Sequence, residues 1–296
     1  MKLVTFSPKT GKDQQSQRIG ILLPDAVADL SAVDEAPRTM AACCSLNGDA
    51  KAALTDWLEA APRLPLADVR LLAPFPRPAR NVFCVGKNYH EHAKEFADSG
   101  FDATAKEVVP EAPVVFTKPP TAVIGPGDTV PGHLDTTGSV DYEGELAVVI
   151  GKGGRGIAAD AALEHVFGYT IVNDVTSRIL QQKHRQWVLG KGIDGFCPMG
   201  PAVLTADEVP DPRALRLRTW VNDELRQDAR VSDLIFDIPT LIATISSYIT
   251  LEPGDIIATG TPVGVGIGFN PPKFLATGDV VRIEVDGIGV LENRIA

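Results

Sequence analysis

The chain has 296 residues, 44% hydrophobic and 22% charged, proportions that fit a folded protein with one large domain and a smaller one. Its net charge of −10 argues against the basic face that nucleic-acid binding needs, and no apolar run approaches the ~20 residues of a membrane helix. An anionic substrate would therefore need local positive charge, from a metal or from a few placed lysines and arginines.

In chain order, residues 3–6, 18–23 and 27–30 read as strands and residues 49–60 as a helix with Ala53, Leu54, Trp57 and Leu58 on one face. Pro74-Phe75-Pro76-Arg77-Pro78 is a stiff connector, so residues 1–74 read as a small N-terminal domain and residues 75–296 as the larger one. Beyond it, residues 82–85, 114–117, 145–150, 169–173, 215–221, 256–259 and 280–285 read as strands broken by glycine and proline. Asp286-Gly287 is a hairpin signal. Residues 238–248 predict a helix with Pro239 in its first turn and Leu241, Ile242, Ile245, Tyr248 and Ile249 at apolar spacing. So many strands with so few helices favour an α+β, mainly β fold over a doubly wound α/β one. The start, Met-Lys-Leu-Val-Thr-Phe-Ser-Pro, is too short and polar for a secretory signal. Cys43, Cys44, Cys84 and Cys197 form no C-x-x-C pair, so free thiols in a reducing cytoplasm are expected.

The chemistry concentrates in Val140 to Ile150, Val-Asp-Tyr-Glu-Gly-Glu-Leu-Ala-Val-Val-Ile. On one continuous strand Asp141, Glu143 and Glu145 would point the same way, about 6.6 Å apart pairwise. At an effective dielectric of about 20, two such charges repel by roughly 2.5 kcal/mol. A cation would relieve that cost; the bland alternative is a solvated acidic edge. Oxygen-only ligands suit Mg²⁺, Mn²⁺ or Ca²⁺ better than zinc. Residues 167–174 form a second predicted strand ending in Asp174, which either completes a three-carboxylate site with Glu143 and Glu145 or caps a helix.

In Gly86-Lys87-Asn88-Tyr89-His90-Glu91-His92-Ala93-Lys94-Glu95, Asn88 with Glu91 fits a capping box, which predicts a helix placing His92 and Glu95 on one face. A carboxylate that orients an imidazole makes a general base; the alternative is an exposed pair of little value. Lys118, Arg178 and Lys191 are cationic candidates, although each alone reads as a solvated surface residue. Thr259-Gly260-Thr261-Pro262-Val263-Gly264-Val265-Gly266 is a glycine-rich turn whose amides could hold an anion. Gly151-x-Gly153-x-x-Gly156 mimics a dinucleotide fingerprint. However, Asp160 reads as the N-cap of the next helix, which would start beyond the glycines, and βαβ alternation is lacking.

Several of these segments together resemble the fumarylacetoacetate hydrolase family. They are Asn88-Tyr89 leading to His92 and Glu95, Thr117-Lys118-Pro119, Ile124-Gly125-Pro126-Gly127, Asp141 to Glu145, Asn173 to Arg178, Lys191 to Pro201, and Thr259 to Pro262. The resemblance covers roughly residues 75–296 and implies a mixed β-sandwich roll, preceded by a small α+β domain. It further implies a homodimer that binds Mg²⁺ or Mn²⁺, with Ca²⁺ as an alternative, through Glu143, Glu145 and Asp174. By the same likeness His92 and Glu95 belong to a lid, residues 94–113 form part of it, and Arg178, Gln181, Lys191, Thr261 and Lys118 fall where substrate and catalytic contacts lie. Ser177-Arg178-Ile179-Leu180-Gln181 and Gly192-Ile193-Asp194 depart from commoner family patterns without removing a ligand.

The expected reaction is metal-dependent hydrolysis of a carbon–carbon bond in an acylpyruvate or β-diketo acid, such as fumarylpyruvate or acetylpyruvate, leaving a pyruvate-type enolate. His92 with Glu95 would activate water and Lys191 would stabilise the oxyanion. The rival within the class is an isomerase or decarboxylase of a 2-oxo or 2-hydroxydienoic diacid of the kind met in aromatic catabolism. The rivals outside it are a structural Ca²⁺ protein without activity and a nicotinamide enzyme.

Overall fold

The computed structural model describes residues 1–10, 16–46, 50–101 and 108–296. Its centre is a mostly antiparallel twelve-stranded sheet. From one edge run Arg63–Pro65, Ala26–Asp29, Arg18–Leu22, Lys2–Pro8, Cys197–Thr205, Val166–Asn173, Gly144–Ile150, Ile256–Ala258, Val82–Gly86 and Val114–Lys118. Lys2–Pro8 pairs directly with Cys197–Thr205, so the sheet is continuous from the N-terminal segment into the larger one. A second sheet of five strands contains Glu224–Arg230, Arg216–Val221, Val280–Val285, Gly289–Ile295 and Thr129–Val130. The fold is α+β and mainly β, a mixed β-sandwich roll.

The core lies between the sheets. Gly144–Ile150 is buried on both faces: Leu146, Val148 and Ile150 face one apolar cluster with Leu217, Ile283 and Leu291, whereas Ala147 and Val149 face another with Val82, Val172 and Met199. Apolar residues on both faces explain why its tail shows no alternation. Gly144 lies where this strand crosses the second sheet, and a β-carbon there would collide with Thr219 Oγ1.

Several expectations change. The Cys197–Thr205 strand, central and wholly buried, was not among those predicted, because Pro198, Gly200 and Pro201 read as loop. The helix expected over 49–60 spans Ala50–Ala60; residue 49 lies outside the described residues, as do 102–107 of the expected lid segment. Helix Ile238–Tyr248 is capped by Asp237, which accepts from Thr240 N at 2.9 Å. Its buried stripe is Ile238, Leu241, Ile242 and Ile245, but Tyr248, its last residue, is 80% exposed. Asp160 is not a cap: Ala158 holds that position before a 3₁₀ helix over Ala159–His165. The dinucleotide reading fails outright, since the strands flanking those glycines are antiparallel neighbours and not a βαβ unit. Among the described residues no helix is long and apolar enough to cross a membrane.

Strand pairing brings distant residues to one end of the sheet. Gly144 pairs with Asn173, Ala147 with Ala258, and Ile257 with Phe83. Glu145, Asp174, Gly260 and Gly86 therefore lie near one another at strand ends. Gly144→Ala should cost about 1–3 kcal/mol by overpacking the crossing point. Urea denaturation measures this, and an unchanged midpoint would show that the two sheets are not in fixed contact there.

Candidate active site

Glu143, Glu145 and Asp174 are buried and offer carboxylate oxygens all within 4.8 Å of one another. Two hydrogen bonds set this convergence: Asp174 N donates to Glu143 O at 2.9 Å, and Glu143 N donates to the Asn173 side chain at 3.0 Å. The adjacent Asp141 does not join them. The expected strand over 140–150 breaks after Asp141, which pairs with Thr176 in a separate two-stranded ribbon. Its carboxylate accepts from Arg178 Nε at 2.8 Å, Gly266 N at 2.6 Å and Ile267 N at 3.2 Å. The row of three aligned acids is thus corrected to a pair plus Asp174, with Asp141 serving Arg178.

Lys118, Arg178 and Lys191 are not solvated, contrary to the reading of each alone; all three are at most 2% exposed. Lys191 Nζ lies 3.0 Å from Glu143, 2.7 Å from Asp174 and 2.9 Å from Thr176 Oγ1. Lys118 Nζ contacts Asp174 at 2.5 Å and Val175 O at 2.9 Å. Arg178 Nη1 reaches Glu143 at 2.6 Å and Gln181 Oε1 at 3.3 Å. Arg178 Nη2 is buried without a hydrogen-bond partner among the described residues. Thr261 Oγ1 donates to Gly144 O at 3.0 Å.

These three cations face the four carboxylates of Asp141, Glu143, Glu145 and Asp174, one fewer positive charge than negative. Burial raises the Glu143 pKa, but Lys191 and Arg178 outweigh it and hold that carboxyl at about 2. Glu145 goes the other way. Burial, then the charges of Asp174 and Glu143, push it well above the usual glutamate range, although Gly260 N donates to it at 2.9 Å. Lys191 is held up by Asp174 and Glu143 against the opposing effect of burial. A buried carboxylate outside the ion pairs, in an oxygen-only set, fits a hard divalent ion. Burial pushes the nearby Cys197 thiol up to about 12 and raises Cys84 as well, so neither thiolate competes as ligand or nucleophile.

Helix His90–Asp98 brings in the remaining pair. His92 Nδ1 is 2.9 Å from Glu95 Oε2, which leaves Nε2 as the basic nitrogen. The other Glu95 oxygen accepts from Gly264 N at 2.9 Å. Asn88 is not the cap: Tyr89 holds that position, and the Asn88 amide donates to Phe236 O at 3.0 Å and Thr259 O at 2.8 Å. The glycine-rich turn does bind anions, but they are the protein's own carboxylates, through Gly260, Gly264, Gly266 and Ile267. His92, Glu143, Arg178, Gln181, Lys191 and Thr261 line one cavity of about 10 Å³, walled by Phe96 and Trp187. Trp187 packs edge-on against Phe96 and Phe116, at 6.2 and 5.2 Å between centroids. Lys118, expected among the substrate contacts, is not part of this lining; it braces Asp174 instead. Trp187 and the lining residue Lys87 went unpredicted, although a lysine between Gly86 and Asn88 at a strand end was a usable signal.

The buried carboxylates and their cations lie at one end of a β-roll, beside a helix carrying a histidine–glutamate pair. Residues 81–296 match the family model described as fumarylacetoacetate (FAA) hydrolase C-terminal, and the chain belongs to that family. It is 53% identical over 230 residues to oxaloacetate tautomerase YisK of Bacillus subtilis, covering 78% of this chain and 74% of the relative. A fumarylacetoacetate hydrolase from Exiguobacterium antarcticum superposes with TM-score 0.82 at 41% identity, covering 100% of this chain and 99% of that one. Maleylpyruvate hydrolase from Sphingobium sp. SYK-6, solved with manganese(II) and pyruvate, superposes with TM-score 0.79 at 35% identity and the same coverage.

Glu145→Gln keeps the shape and removes the surplus charge. Because the folded Glu145 holds its proton more tightly than the unfolded chain does, metal-free stability is fullest below the ordinary value of 4.5 and declines as pH rises. At neutral pH the metal-free variant should melt about 2–4 °C higher than the parent, the shift produced by about 1 kcal/mol. It should also lose any Mn²⁺-dependent rise in melting temperature. A variant that still responds to Mn²⁺ would remove Glu145 from the ligand set.

Proposed function

We propose that this chain is a divalent-metal-dependent enzyme that interconverts the keto and enol forms of a short 2-oxo diacid of the oxaloacetate class. The observation that carries this reading is His92, held by Glu95, which shares one small cavity with Lys191 and with Glu143 of the three-carboxylate centre. The 53% identity to an oxaloacetate tautomerase supports it. So does the small volume of that cavity, which Trp187 and Phe96 wall, with Phe116 packed against Trp187.

Mg²⁺ or Mn²⁺ held by Glu143, Glu145 and Asp174 would supply Lewis acidity toward the keto oxygen and its neighbouring carboxylate. The protein's own groups do the rest. Arg178 Nη2, with no partner among the described residues, offers a donor to the substrate carboxylate. Glu95 holds His92 so that Nε2 can take a proton from the carbon next to the keto group. The developing enolate oxygen sits beside the Lys191 ammonium, already fixed by three hydrogen bonds. Return of the proton to oxygen completes the enol.

A second reading is hydrolysis of a carbon–carbon bond in an acylpyruvate, favoured by the same histidine–glutamate pair as a water-activating base and by the likeness to maleylpyruvate hydrolase. Decarboxylation would use the same enolate. Products separate the three: tautomerisation releases nothing, hydrolysis yields two acids, and decarboxylation yields carbon dioxide.

Ultraviolet absorbance of the oxaloacetate enol should relax faster with the Mn²⁺-loaded protein than without it, and His92→Ala should lower kcat by about 10²–10⁴-fold. Oxalate affinity should change little in that variant. Wild-type protein that binds Mn²⁺ and oxalate yet leaves enol relaxation at the uncatalysed rate would eliminate the tautomerase reading. Full activity in His92→Ala would remove the histidine from its role.

A further inference from the structure

We propose that Lys87 determines substrate specificity by binding the distal carboxylate of a 2-oxo diacid. This inference rests on the 2-oxo acid reading above and extends it to the far end of the substrate. Lys87 is 4% exposed and lines the same cavity as Lys191 and Arg178. Its backbone adopts φ of +56°, a left-handed conformation that lysine rarely takes and that persists only when the surroundings impose it.

Both neighbours impose it. Gly86 packs so closely on the Trp187 ring that a β-carbon would collide with it. Asn88 is pinned on the other side, its amide donating to Phe236 O and Thr259 O and its side-chain oxygen accepting from Phe236 N at 2.8 Å. The strand end is therefore held rigidly, with a lysine presented to the cavity between two fixed points.

Position separates this cation from the others around the cavity. Lys191 and Arg178 bear on the carboxylate centre, through Glu143 and Asp174 and through Asp141 and Glu143 respectively. Lys87 Nζ lies 5.4 Å from the centroid of the Phe96 ring, on the aromatic wall. A substrate carboxylate reaching that wall would meet the Lys87 ammonium and could form a charge-assisted bond with it. Phe96 follows Glu95 on the helix that carries His92, so an anion on Lys87 would lie against the helix that brings the base. The two ends of a 2-oxo diacid then have separate cations, Arg178 at the metal-side carboxylate and Lys87 at the distal one.

The test compares unreactive analogues on Mn²⁺-loaded protein by calorimetry. Malate carries the distal carboxylate and lactate lacks it. Wild type should bind malate about 10- to 100-fold more tightly than lactate, the scale of one charge-assisted hydrogen bond. Lys87→Met should erase that preference and leave lactate affinity unchanged, while Lys87→Arg should keep most of it. In parallel, Lys87→Met should raise KM for oxaloacetate by a similar factor. Equal loss of malate and lactate binding, or a malate preference that survives in Lys87→Met, would overturn the proposal. A Lys87-dependent malate preference in a wild-type protein that enolises no substrate would uphold the site and refute the tautomerase reading.

Discussion

A buried excess of negative charge is the constraint around which this molecule is built. Glu143, Glu145, Asp174 and Asp141 sit in the dry end of a β-roll, where an unpaired carboxylate is costly. Three long cationic side chains, drawn from three separate segments, neutralise most of that charge. Glu145 is left with a backbone amide, and burial together with the charges of Asp174 and Glu143 pushes its pKa strongly upward. The same packing that makes the carboxylates expensive holds them in register, because Gly144 admits the second sheet and Asn173 fixes the Glu143 backbone.

Strand pairing explains how so many distant residues reach one spot. The strands Gly144–Ile150, Val166–Asn173, Ile256–Ala258 and Val82–Gly86 share one sheet, and the segment beginning or ending each contributes at the same edge. A pair of glutamates comes from one strand start and an aspartate from the next strand's end. The carboxylate-holding loop follows the third, and the helix with the histidine follows the fourth. The rigid sheet supplies the positions, and the short connections beyond its strands supply the chemistry.

Local patterns made much of this legible in the chain itself. Glu143, Glu145 and Asp174 stand next to apolar strands, and the three-residue spacing of His92 and Glu95 is a helical relation that needs no tertiary knowledge. What was not legible depends on long-range pairing. Nothing near Lys118 or Lys191 in the chain reveals that the partners are Glu143 and Asp174, so each looks like a surface residue until the sheet is assembled. Asp141 looked like a third ligand because a break in a strand leaves no mark in a run of alternating residues. Cys197–Thr205 was hidden by its prolines, which a buried strand tolerates here despite their missing N–H groups.

The contact between Glu95 and Gly264 has an evolutionary corollary. Its donor is a peptide N–H, and Gly264 occupies φ of +106°, where its turn is set by backbone geometry. The identities of Val263 and Val265 on either side do not enter the bond. Side chains around this fastening can therefore drift to suit different small molecules while the helix stays seated in the same place. What would undo it is a side chain at Gly264, whose β-carbon would collide with Arg226 O at a φ that suits glycine alone, or a change in loop length. A scaffold fastened this way can diversify its pocket without rebuilding its closure.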